Sequence, residues 1–116
     1  MRKASVFMIT CFLIGVYSLA YAHPPSDIKI TYDAKTKILT AVIYHNVSNP
    51  ANHHIGKVDI GLNGKEVVEH KISRQDNNTT QTVSYLIPDT KAGDTLSVEA
   101  YCSISGKLEK EIKASE

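Results

Sequence analysis

The chain has 116 residues, with 13 basic and 12 acidic side chains and a formal net charge of +1. That balance provides no cationic field for gripping nucleic acid or an anionic membrane. At this length one small domain is expected, near the lower limit for a self-sufficient hydrophobic core.

Residues 1–22 read as an export signal. Arg2 and Lys3 form a charged start, Val6 to Val16 an apolar run, and Ala20-Tyr21-Ala22 puts small residues where a signal peptidase needs them. The apolar stretch is short for a membrane span, and Thr10 and Ser18 interrupt it. The expectation is cleavage after Ala22 and an exported product, periplasmic or secreted, spanning residues 23–116 with no membrane attachment. That product has 94 residues, 11 of them basic and 12 acidic, so its net charge is −1. Cys11 leaves with the signal and Cys102 is left without a partner in the chain.

Beyond the signal, the chain reads as strands. Ile28, Ile30 and Tyr32 alternate with polar residues up to a turn at residues 33–36. Residues 37–45, KILTAVIYH, are β-branched and apolar almost throughout. The loop NVSNPANHH follows. Val58, Ile60 and Leu62 then alternate up to Asn63-Gly64, a two-residue hairpin signal, and residues 66–72 return. After the polar loop RQDNNTT, residues 80–87 form a strand closed by Pro88-Asp89. Leu96, Val98, Ala100, Cys102 and Ile104 alternate after a Gly93-Asp94 turn, and a last short strand, 108–112, follows Ser105-Gly106. Seven short strands with turn signals between them predict an all-β fold, an antiparallel sandwich of immunoglobulin-like type, with a small barrel as the alternative. Asp27, Asp59, Glu66 and Asp94 lie beside strands and turns with no sign of pairing.

The lone cysteine of an exported domain is a free thiol, half of an intermolecular disulfide or a metal ligand. The plainest reading is a small buried hydrophobe. Cys102 shares a face with Leu96, Val98 and Ala100, near the end of its strand, so its thiol points inward close to the rim. There are five histidines: His23, His45, His53, His54 and His70. His45 and His53 flank one loop, which brings two imidazoles toward one end of a sandwich. Imidazole with thiolate suits iron, copper or zinc. His23 becomes the first residue after cleavage, where its amine and ring together form a site for copper(II). On extended backbone the rings of His53 and His54 point opposite ways, and His70, between Glu69 and Lys71, reads as a surface residue. Neither GxSxG nor a phosphate-binding glycine loop is present.

The run His45-Asn46-Val47-Ser48-Asn49-Pro50-Ala51-Asn52-His53-His54-Ile55, with Val58, Asn63-Gly64-Lys65 and Tyr101-Cys102-Ser103-Ile104-Ser105-Gly106, resembles the iron-binding domain of the desulfoferrodoxin and superoxide reductase family. The resemblance covers most of the chain after residue 22. It implies an immunoglobulin-like fold and one iron held by histidines in a plane with an axial cysteine, open to superoxide on the remaining side. Position by position, Cys102 matches the axial thiolate, while His45 and His53 match the histidines that open and close the loop. His23 stands where the family has its first histidine. Ser105 replaces the last family histidine, and no lysine precedes His23 to match the one that attracts superoxide. The implied function is an exported mononuclear iron protein that reduces superoxide or another small oxidant, using an electron donor the sequence does not name. The alternatives are a copper-binding module built on His23 and a non-catalytic interaction domain. Oligomeric state is not legible in the sequence.

Overall fold

A computed structural model describes residues 23–115; the expected signal, residues 1–22, lies outside the described residues. The chain forms β1 (Asp27–Asp33), β2 (Ile38–Tyr44), β3 (Ile55–Leu62), β4 (Lys65–Lys71), β5 (Thr80–Leu86), β6 (Thr95–Cys102) and β7 (Lys107–Lys113). They make two antiparallel sheets, β1-β2-β5 and β4-β3-β6-β7. Among the described residues no helix is long and apolar enough to cross a membrane.

Alternation explains which face each strand buries. In the first sheet Ile28, Leu39, Ala41, Ile43 and Val83 point inward; in the second Ile55, Val58, Ile60, Leu96, Val98 and Ala100 do. The two sets form one core. Cys102 continues the inward row of β6 and is buried at its end. The alternation stops there, one step short of the sequence pattern. Ile104 is 56% exposed, because the Cys102 amide donates to Gly106 O (2.9 Å) and turns the chain out of the sheet.

Two backbone features shape the end of the sandwich that carries the histidines. A bulge between Ile55 and Lys57 re-phases β3, so that Ile55 and Val58, three apart, both reach the core. At its centre Gly56 lies against the backbone of Ser103, where a Cβ would stand 3.2 Å from Ser103 Cα. At the opposite end Asn63 and Gly64 both have positive φ, 52° and 85°, as a tight hairpin of the right-handed twist requires.

The open edges are tied by side chains. Lys110 Nζ meets Asp27 Oδ1 at 3.1 Å, linking β7 to β1. His70 Nδ1 meets the Tyr85 hydroxyl at 2.8 Å, linking β4 to β5. His70 is exposed, as its charged neighbours imply. Of the carboxylates that showed no sign of pairing in the sequence, Asp59 and Glu66 come together with Glu69, their oxygens within 4.8 Å of one another; Asp59 also sits 3.5 Å from Lys57 Nζ, and Asp94 accepts from Asn63 Nδ2 (3.1 Å).

Leu39 is fully buried at the centre of the first sheet. Leu39→Ala leaves a cavity between the sheets and is expected to lower unfolding free energy by about 2–5 kcal/mol, read by urea denaturation of residues 23–116.

Candidate metal centre

The four residues singled out by the sequence come from three segments. His23 precedes β1, His45 and His53 open and close the β2–β3 loop, and Cys102 ends β6.

The β2–β3 loop is built to return on itself. Asn49 Oδ1 accepts from the Ala51 amide (3.0 Å), and Asn49 O accepts from the amides of Asn52 (3.1 Å) and His53 (3.0 Å). This is an asparagine-initiated turn, with Pro50 setting the backbone at its second position. The far end of the loop is locked to the β6–β7 turn by reciprocal bonds. Ser103 N–H donates to His54 O (2.8 Å), and His54 N–H donates to Ser103 Oγ (3.1 Å). His53 therefore sits directly over the end of β6, its Nε2 3.2 Å from Cys102 Sγ.

His23 is brought in by a strap. Gly106, with φ of 93°, turns the backbone so closely under Pro24 that a Cβ would stand 2.9 Å from Pro24 N. Only glycine satisfies both the left-handed backbone and that approach. Pro25 is buried, and Ser26 N–H donates to Tyr44 O (2.8 Å), which registers the strap against the end of β2.

The result is a triangle of imidazoles. The ring centroids of His23 and His45 are 4.8 Å apart, those of His23 and His53 4.9 Å, and those of His45 and His53 4.9 Å. One nitrogen from each ring falls within 4.8 Å of the other two. His45 is 1% exposed; His23 and His53 are half-buried.

His54, adjacent to His53, points away, its Nε2–H donating to Ile72 O (3.1 Å). Sequence reasoning missed Gln75. Its Oε1 accepts from His45 Nδ1–H at 2.9 Å, inside the protein. Gln75 lies in the polar loop RQDNNTT, where no pattern separates one buried amide from its solvated neighbours.

The electrostatics favour neutral rings. Burial holds His45 below the ordinary imidazole value of 6.5, against the bond to Gln75 and the nearby His23 backbone, which work the other way, and the charges of neighbouring histidines lower it further. The same two causes lower His53. Neutral imidazole is the form that binds metal. Cys102 Sγ accepts the Ile104 amide at 3.4 Å.

The three histidines fit a metal ion, their ligand atoms all within 4.8 Å of one another, and Cys102 stands beside that group against His53. His45 Nε2 is buried and has no hydrogen-bond partner among the described residues, which is costly for a bare lone pair and natural for a donor atom. Imidazole nitrogen with thiolate sulfur is a donor set for iron, copper or zinc.

No family model and no curated protein sequence matches the chain. Among solved structures the chain is similar to the superoxide reductase (1Fe-SOR) from Giardia intestinalis. The TM-score is 0.59 at 17% identity, and the match covers 79% of this chain and 97% of that one. At that identity the likeness establishes a shared fold with a remote structural relative in the superoxide reductase family.

Two outcomes are expected. In the metal-free protein the unfolded chain takes up protons on these histidines near 6.5, before the folded chain does. Stability is therefore flat above that pH, falls as pH drops below it, and levels once the folded rings also protonate. His45→Gln should flatten that fall in a melting-temperature series from pH 7.5 to 5. Gly106→Ala should displace the strap and weaken metal uptake on the order of tenfold or more, while leaving the β-sheet circular dichroism spectrum intact.

Proposed function

We propose that this chain is an exported mononuclear iron protein of the superoxide reductase kind, with His23, His45, His53 and Cys102 as ligands. The observation that carries the reading is the triangle of imidazoles with the Cys102 sulfur 3.2 Å from His53, at one end of a fold shared with a superoxide reductase. The two sheets are read as an immunoglobulin-like sandwich, consistent with their common core.

Iron bound there would supply the one electron that, with two protons, converts superoxide to hydrogen peroxide. The protein's own residues hold and bias the site. Cys102 offers a sulfur donor from the end of β6, held by the Ile104 amide. His45 is enclosed, whereas His23 and His53 reach solvent, so a small anion and its protons approach past those two rings. Ser105 is exposed on the 103–106 turn, in place of the last family histidine. The chain thus offers three imidazoles where the family offers four, and water would supply a further donor. Export after Ala22 rests on the charged start, apolar run and small-residue site of residues 1–22.

Copper(II) chelated by the His23 amine and ring is the weaker reading. A chelate ring of workable size uses Nδ1, and that atom already donates to Pro24 O at 3.1 Å.

Anaerobic reconstitution tests the proposal. The mature protein should take up about one ferrous ion per chain, and oxidation should produce a thiolate-to-iron charge-transfer band. Cys102→Ser should abolish the band. Failure to bind ferrous iron, or a band that survives the substitution, defeats the assignment. Iron should also raise the melting temperature, since a ligand bound only by the native state stabilises it by mass action. His53→Ala should remove most of that rise; a metal-indifferent melting temperature in the unsubstituted protein would instead indicate a non-catalytic interaction domain.

A further inference from the structure

We propose that Gln75 is the positioning residue of this centre: its carboxamide holds His45 as the Nδ1–H tautomer and so commits Nε2 as the coordinating atom. The coordinating role rests on the metal-centre reading above; the tautomer stands on the hydrogen bonds alone.

A carboxamide can be turned end for end, exchanging donor and acceptor. Here its neighbours decide the orientation. The Ile55 backbone N–H can only donate, and it lies 3.1 Å from one end of the amide, which must be the oxygen. The opposite end lies 2.8 Å from His45 O and 2.9 Å from Asn77 O. Both are carbonyls that can only accept, so that end must be the nitrogen. His45 Nδ1 sits 2.9 Å from the oxygen and must therefore carry the proton. In a neutral imidazole the lone pair is then on Nε2, the buried atom with no partner among the described residues. Both oxygen lone pairs and both amide hydrogens of Gln75 are used, so the assignment is complete.

Gln75 itself has no freedom to follow a misplaced ring. It is 1% exposed, and its own amide donates to Pro50 O at 3.2 Å. The loop behind it is pinned by Asn77 Oδ1, which accepts from the amides of Thr79 (2.9 Å) and Thr80 (2.8 Å). That loop in turn grips the residue it orients, since His45 N–H donates to Thr79 O at 2.9 Å. One side chain thus joins the end of β2, the start of β3 and the 75–80 loop around His45. A hydrogen bond to the non-coordinating nitrogen of a ligand histidine fixes its ring and raises its basicity, and losing such a partner typically costs 10–100-fold in metal affinity.

Two substitutions separate positioning from packing. Gln75→Leu fills the space but cannot accept the Nδ1 proton. Gln75→Glu keeps the acceptor and loses the two donations to carbonyls, so it should lower the melting temperature while preserving the tautomer. The first readout is the His45 tautomer in the metal-free protein, from long-range nitrogen–proton correlations in NMR. The expected pattern is Nδ1–H in the unsubstituted protein and in Gln75→Glu, with a shift toward Nε2–H in Gln75→Leu. The second readout is anaerobic titration with ferrous iron: a 10–100-fold loss for Gln75→Leu and a change of less than about threefold for Gln75→Glu. Nε2–H on His45 in the unsubstituted protein overturns the proposal, as does a Gln75→Leu protein with unchanged tautomer and affinity. If Gln75→Leu fails to fold, the tautomer in the other two proteins decides. If the unsubstituted protein takes up no iron, the metal centre falls, and the tautomer alone judges the role of Gln75.

Discussion

The candidate centre depends on the reciprocal pair of bonds between His54 and Ser103 at the end of the β3–β6 ladder. Those bonds set the histidine loop directly over the turn that carries the cysteine. With Ile55 opposite Cys102 in register, a one-residue slip would turn the Cys102 side chain to the other face of the sheet. The bulge at Gly56 permits the arrangement, because the chain lies close against Ser103 there and a Cβ would be crowded 3.2 Å from Ser103 Cα. Ligand geometry in this protein is thus a consequence of strand register. A rigid core, shared by both sheets, holds that register in place.

The donors differ in how firmly they are held. His45 is enclosed and fully specified by Gln75 and Thr79; Cys102 is held by the ladder and by the Ile104 amide. His53 depends on the asparagine turn, and His23 on a strap seated by one glycine. The buried pair forms a fixed floor and the half-buried pair a more exposed wall.

Most of the fold was legible in the sequence. Period-two alternation in β2 and β6 and the Asn63-Gly64 turn are local signals, and the structure has strands and a hairpin at those places. Local signals also explain the misreading of Ile104. The residue continues the alternation of β6, but the Cys102–Gly106 bond, which no pattern reveals, ends the strand first. The bulge at Gly56 was hidden for the same reason. In the site, the flanking of one loop by His45 and His53 pointed to a common region; the structure clusters these two rings with His23, and the odd cysteine, Cys102, stands against His53. Gln75 was invisible because its role comes from burial, and a glutamine among Asp, Asn and Thr carries no mark of it. The opposed rings of His53 and His54 followed from backbone geometry alone, yet which of the two faces inward depends on Ser103 and Ile72, both far along the chain.

The seating of Pro24 on Gly106 has a temporal consequence. His23 belongs to one of the first segments of the domain to be synthesised, and Gly106 to one of the last. The strap has no seat until nearly the whole polypeptide is available, and contacts that span such a distance form late because loop closure must come first. A nascent chain therefore holds its imidazoles apart, and the triangle of His23, His45 and His53 closes only in the finished domain.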